Sequence, residues 1–311
     1  MATVLITGGT GLIGKALTAE LVRIGYEVII LTRNKRKQKT NGAIRYASWN
    51  IQEQTIEPDA IAKTDYIIHL AGANVADGRW TKRRKKEIVD SRVQSGNLLV
   101  KALSEIHNNV KAVISASAIG WYGPDPVIPN KNPFKETDPP VRDFLGTTCQ
   151  AWEASIQPVS TMGKRLVVLR TGIVLSNNGG AYAEFKKPLR FGVASILGNG
   201  KQVVSWIHLA DLVRIYCEAL QNEKMNGVYN AVAPNPVSNK RLIKEIATQR
   251  KNFYVPVPVP SVALKIALGE MSIEVLKSAT VSSEKLEATG FQFMFNDIET
   301  AIYNLNKMKS R

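Results

Sequence analysis

The chain has 311 residues, of which 41 are Lys or Arg and 26 Asp or Glu, giving a formal net charge of +15 and a pI near 9.7. Hydrophobic and charged contents of 44% and 22% are ordinary for a globular protein, and the length allows one large core or two lobes. With only Cys149 and Cys217 and no apolar run of spanning length, the composition excludes a disulfide framework and a membrane anchor, so a cytoplasmic location is expected.

Residues 3 to 14, Thr-Val-Leu-Ile-Thr-Gly-Gly-Thr-Gly-Leu-Ile-Gly, place a short apolar strand directly before Gly8, Gly9, Gly11 and Gly14, after which a helix begins. Because the motif starts with a strand at the very N-terminus, no removable signal peptide is expected there. The spacing satisfies both Gly-x-Gly-x-x-Gly and Gly-x-x-Gly-x-x-Gly. Glycines allow a tight turn and close backbone approach, while the helix N-terminus offers free N–H groups and a positive dipole end. That combination suits a pyrophosphate.

Further along, apolar residues at helical spacing predict a helix over Leu12–Ile24, closed by Gly25. Glu27–Thr32, Ile44–Trp49, Tyr66–Leu70, Ala112–Ser117 and Arg165–Thr171 read as strands, with helices over Lys86–Ser104 and Pro140–Ile156. Unbroken apolar strands separated by helices imply a parallel sheet covered on both faces. After Gly172 the texture changes. Gly198-Asn199-Gly200 marks a hairpin, Leu209–Leu220 a helix and Asn226–Ala231 a short strand. Pro256, Pro258 and Pro260 make a stiff connector that disfavours helix or central strand, and two or three amphipathic helices follow, ending at Lys309. The expected division is a nucleotide-binding lobe over 1–175, onto which 203–233 packs back, and a smaller lobe over 176–311.

Cofactor selectivity is read at the end of the second strand. An NAD-binding chain places Asp or Glu there for the ribose 2′-hydroxyl. Here the strand ends Leu31-Thr32-Arg33-Asn34, and no acidic residue occurs from Val28 to Gln52. Six basic ones do: Arg33, Lys35, Arg36, Lys37, Lys39 and Arg45. Arg33 can make charge-assisted bonds to a 2′-phosphate, so NADP is the expected cofactor. The basic runs at 35–39 and at Lys82-Arg83-Arg84-Lys85-Lys86 lack interleaved aromatics, so a solvated rim of a cofactor entrance is favoured over nucleic-acid binding. His69, His107 and His208 show no metal-ligand spacing, and no metal is expected.

Thr7-Gly8-Gly9-Thr10-Gly11-Leu12-Ile13-Gly14, His69-Leu70-Ala71-Gly72, Ser115–Gly123 and Trp206-Ile207-His208-Leu209-Ala210-Asp211 resemble the extended short-chain dehydrogenase/reductase superfamily. Trp152-Glu153, Arg170-Thr171-Gly172-Ile173-Val174-Leu175 and the stretch from Gly269-Glu270-Met271 to Gly290-Phe291-Gln292-Phe293 resemble an atypical epimerase-family subgroup, some of whose members are labelled cell-division inhibitors. The resemblance implies an α/β fold: a Rossmann-type doubly wound parallel sheet with a smaller C-terminal α/β lobe. It implies that Gly8, Gly11, Leu12, Ile13, Gly14, Thr32, Arg33, Leu70, Ala71, Gly72, Glu87, Arg92 and Val174 approach the dinucleotide. For Glu87 and Arg92 the alternative is a surface charge pair.

Typical members of the superfamily carry Tyr-x-x-x-Lys on the helix after the serine strand. The equivalent stretch here is Cys149-Gln150-Ala151-Trp152-Glu153, with Cys149 in place of the tyrosine and Glu153 in place of the lysine. A carboxylate would raise a neighbouring acid's pKa, so the usual proton relay cannot operate as written. Ser117, Tyr122, Cys149 and Glu153 are the remaining catalytic candidates. The expected activity is NADP(H)-dependent oxidoreduction or epimerisation of a small or nucleotide-linked, sugar-like substrate. The alternative is a non-catalytic NADP(H)-binding regulator linked to cell division. A homodimer is expected by analogy with related proteins.

Overall fold

A computed structural model describes residues 1–34, 42–250 and 253–307. Strands β1 (Thr3–Thr7), β2 (Glu27–Thr32), β3 (Ile44–Asn50), β4 (Thr55–Ile56), β5 (Tyr66–His69), β6 (Ala112–Ala118) and β7 (Arg165–Thr171) come first in the chain. Strands β8 (Ile173–Leu175), β9 (Val193–Leu197), β10 (Val203–Val204), β11 (Trp206–His208), β12 (Gly227–Ala231), β13 (Val237–Ser238) and β14 (Val255–Val259) follow. The helices are α1 (Leu12–Arg23), α2 (Pro58–Ala62), α3 (Lys82–Glu105), α4 (Phe144–Ile156), α5 (Pro158–Thr161) and α6 (Ala181–Leu189). They continue as α7 (Leu209–Gln221), α8 (Asn239–Thr248), α9 (Ser261–Leu268), α10 (Ser272–Leu276), α11 (Glu284–Glu287) and α12 (Ile298–Lys307).

The main sheet has 8 strands in the order β12-β7-β6-β5-β1-β2-β3-β4, parallel except for β4 against β3. Alternation along β1 explains its unbroken apolar run. Val4 and Ile6 join one core with Leu17 and Leu21 of α1 and Ile215 and Leu220 of α7. Leu5 joins the opposite core with Leu98 and Leu99 of α3 and Ile156 of α4. This is the doubly wound Rossmann-type arrangement, and strand order reverses between β1 and β5, where a crevice opens at their C-terminal ends. A third core lies under β11, α6, α8 and α12 around Trp206, Tyr182 and Ile302.

Several elements differ from the sequence expectation. Helix α3 starts at Lys82 rather than Lys86, because the Thr81 side chain caps Arg84 N (3.2 Å). Among the described residues four helices, α9 to α12, follow the prolines rather than two or three. Helix α4 starts at Phe144 rather than Pro140, because Val141 N is drawn to Trp121 O (2.8 Å) and the Asp143 side chain caps Gly146 N (2.7 Å). The Gly198–Gly200 turn does not make a hairpin: β9 pairs with β14 and β10 with β13. The proline-rich connector is itself a strand, β14, paired parallel to β9. Prolines alternate with valines there, so the Val255 amide bonds Gly192 O (2.8 Å) while Pro256 and Pro258, which have no N–H, fall on the strand's free edge. The basic run at 35–39 and Lys309 lie outside the described residues.

Candidate active site

A cavity of about 1200 Å³ opens beside the strand-order reversal. Gly8, Gly11, Thr32, Arg33, Leu70, Ala71, Gly72 and Glu87 line it, which brings together eight of the residues expected at a dinucleotide. The turn after β1 needs its glycines. Gly8 has φ +69°, and a Cβ there would lie 3.0 Å from the Leu70 carbonyl group; one on Gly14 would lie 2.4 Å from Gly8 O. The first bond of α1 runs from Lys15 N to Gly11 O (3.0 Å), and its N-terminus has neither a side-chain cap nor an acid in its first turn. The amides of Leu12, Ile13 and Gly14 are therefore left for an anion, as a bound pyrophosphate requires.

Thr7 fixes the opposite lip. Its hydroxyl accepts from Leu70 N (3.0 Å) and Ala71 N (3.1 Å), so its own proton goes to His69 Nδ1 (2.8 Å). The remaining ring nitrogen, Nε2, then carries a hydrogen toward Ser95 Oγ (3.4 Å). Burial, aided by the Arg92 charge, pushes His69 down to about 4, so the ring is neutral around pH 7.

Glu87 and Arg92 do not pair with each other. Glu87 binds Arg84 (2.7 Å) on the cavity wall. Arg92 lies behind that wall: its guanidinium donates to Ala73 O (3.0 Å) and Ile88 O (2.9 Å), packs against Gly72 and covers the Trp152 ring. It therefore props the loop after β5. Val174 in β8 lies beside Leu12, since a Cβ on Gly180 would contact both the Leu12 side chain and Val174 O. Arg33 is exposed at the end of β2, where Thr32 Oγ1 accepts from Asn34 N (3.2 Å).

Of the catalytic candidates, Ser117, Tyr122 and Glu153 meet in one buried cluster organised by Arg170. Ser117 Oγ donates to Glu153 Oε1 (2.6 Å), and Arg170 clamps the same carboxylate through Nε (2.9 Å) and Nη2 (3.0 Å). Arg170 Nη1 donates to Tyr122 OH (3.1 Å) and Glu136 O (3.1 Å), and Tyr122 donates onward to Asn230 Oδ1 (2.7 Å). The Arg170 guanidinium also lies 3.6 Å from the Trp121 ring centroid. Burial pushes Tyr122 up to about 12 despite the opposing pull of Arg170. Cys149 stands apart with its thiol toward Ala118 O (3.7 Å); burial first, and the Glu153 charge second, push it up to about 12. Neither group is anionic at neutral pH, which leaves the thiol a poor nucleophile there. His208 caps α7 by accepting from Ala210 N (3.1 Å), and its ring lies tilted by 36° against Phe295.

Sequence reasoning named Arg170 only as part of a motif. Its signal is an arginine directly after the apolar run Leu166–Leu169 of β7. Asn230 and Asp125 gave no such signal. Asp125 binds Ser278 Oγ (2.7 Å), Thr280 N (2.9 Å) and Thr280 Oγ1 (2.8 Å), which seats the C-terminal segment against the sheet. Among the described residues no group of His, Cys, Asp and Glu is placed to hold a metal, and no helix is long and apolar enough to cross a membrane.

Residues 4–231 match the model of the NAD dependent epimerase/dehydratase family, and residues 259–305 match a domain of unknown function, DUF1731. An epimerase family protein of Staphylococcus saprophyticus is 35% identical over 97% of this chain and 98% of its own length. The crystal structure of human epimerase family protein SDR39U1 with NADPH superposes with a TM-score of 0.86 at 29% identity, covering 98% of this chain and 99% of that one. A nucleoside-diphosphate sugar epimerase from Corynebacterium glutamicum gives 0.76 at 32% identity, covering 98% of this chain and 58% of that one. With its glycine turn, its doubly wound sheet and a family match over most of its length, this chain belongs to the NAD dependent epimerase/dehydratase family.

Proposed function

We propose that this protein binds NADP(H) in the cavity beside β1 and exchanges hydride with a small or nucleotide-linked, sugar-like substrate held between residues 1–175 and 176–311. One observation carries the reading: Arg33, exposed and without a partner among the described residues, faces the same cavity as the glycine turn and the uncapped start of α1. The NADPH of the human relative and the name of the Corynebacterium relative support cofactor and substrate class respectively. When bound, the nicotinamide supplies the hydride chemistry, and the chain's residues bind and orient it. Gly8, Gly11, Leu12, Ile13 and Gly14 hold the pyrophosphate, and Thr32 and Arg33 the adenosine phosphate side. Leu70, Ala71, Gly72 and Glu87 form the walls, with Arg92 supporting them from behind and Val174 near the start of α1. Ser117, Tyr122 and Glu153 hold the end of β6 in place through Arg170.

A second reading, an NADP(H)-binding regulator without turnover, is favoured by the locked state of Glu153 and the buried thiol of Cys149. Fluorescence titration with NADPH and NADH tests the cofactor, and absorbance of NADPH over a panel of nucleotide sugars and carbonyl compounds tests turnover. The expected result is tighter binding of NADPH, abolished in Gly14→Ala. Equal affinities for both cofactors would refute the assignment, and tight binding without oxidation by any compound would favour the regulator.

A further inference from the structure

Five consecutive cations, Lys82 to Lys86, form the first turns of α3, where their like charges repel. Three are neutralised. Arg84 pairs with Glu87 (2.7 Å) and reaches Asp77 (4.0 Å), Lys85 pairs with Glu270, and Lys86 pairs with Asp90. Lys82 and Arg83 have no ion pair among the described residues, and of these two only Arg83 lines the cavity. The carboxylates on the cavity wall are Asp77, Glu87 and Asp90, and each is engaged by Arg84 or Lys86. Among the described residues, Arg33 and Arg83 are thus the uncommitted charges of this cavity, one at the end of β2 and the other on α3.

A pyrophosphate is served by the glycine turn and the α1 amides. A phosphate monoester carries a charge of roughly −1.5 to −2 at neutral pH, more than one guanidinium balances, and guanidinium forks match its oxygens. The geometry points to Arg83 as a second selectivity residue that joins Arg33 on the 2′-phosphate of NADP(H); this rests on the NADP reading above. Lys82 is its control: the neighbouring cation, equally unpaired, contributes the same general field but does not line the cavity.

The experiment titrates the full-length protein with NADPH and with NADH by fluorescence, in wild type, Arg33→Ala, Arg83→Ala and Lys82→Ala. One lost charge-assisted contact at an exposed site weakens NADPH binding in Arg83→Ala by about tenfold. NADH affinity in that variant, and both affinities in Lys82→Ala, stay within about twofold of wild type. An equal loss for NADPH and NADH in Arg83→Ala would overturn the inference, because Arg83 would then act on the pyrophosphate or through the field alone. A loss no greater than that of Lys82→Ala would overturn it too. Wild type binding both cofactors equally would instead overturn the NADP reading itself, which keeps the two failures apart.

Discussion

Replacing Arg170 by Met tests whether the buried cluster is a structural joint. The Arg170 and Glu153 side chains are 3% and 12% exposed. Arg170→Met removes two bonds to the Glu153 carboxylate and leaves it only the Ser117 hydroxyl as a side-chain donor. It also strips a donor from Tyr122 OH and from Glu136 O. Leaving a buried charge without its partner costs about 3–5 kcal/mol. Removing both partners, as in Glu153→Leu with Arg170→Met, eliminates the unpaired charge and should cost far less than the sum of the two single changes. The coupling read from the cycle should then be about 2 kcal/mol or more. Urea unfolding at pH 7 followed by circular dichroism, with midpoints compared at equal slope, measures it. Independent additivity of the two changes, or a loss below about 1 kcal/mol for Arg170→Met, would refute the reasoning. So would a stable Glu153→Gln that binds NADPH normally but loses all turnover, since that outcome requires Glu153 to touch the reacting atoms.

Acid should destabilise the protein through His69. Its folded pKa of about 4 lies below the ordinary value of 6.5, so the unfolded chain binds the extra proton. Stability is intact above pH 6.5, falls as pH drops toward 4, and the loss approaches about 3 kcal/mol for this one group. Stability against pH for wild type and His69→Asn should diverge in that window, and parallel curves would contradict the assignment. Both cysteines are buried and pushed up to about 12 by desolvation. A disulfide exchange reagent at pH 8 should therefore label neither in the native protein and both in denaturant; rapid native labelling of Cys149 would restore it as a nucleophile.

The crevice proposed for the dinucleotide is legible in the sequence because it depends on local backbone. A strand, four glycines and a helix start lie within a dozen residues, and the absence of acids from Val28 to Gln52 is a property of the chain itself. Periodicity likewise marked the strands of the sheet, since burial on both faces leaves them continuously apolar. The start of α4 was misread because a contact distant in sequence, Val141 to Trp121, overrides helical spacing. The prolines of β14 concealed a strand because their compatibility with it depends on which edge stays unpaired.

Composition and order along the chain therefore determined the fold class, the glycine turn before α1 and the acid-free stretch from Val28 to Gln52. Only tertiary structure decided what surrounds Glu153. The carboxylate of Glu153 is answered by Arg170, which is 17 positions away on a different element, and the joint closes through Asn230, a further 60 residues on. Tertiary structure also turned Arg92 away from Glu87 and left Arg83, alone among five adjacent cations, both on the cavity wall and without an ion pair among the described residues. A charge's role depends on the partner that reaches it, and folding, not spacing along the chain, supplies that partner.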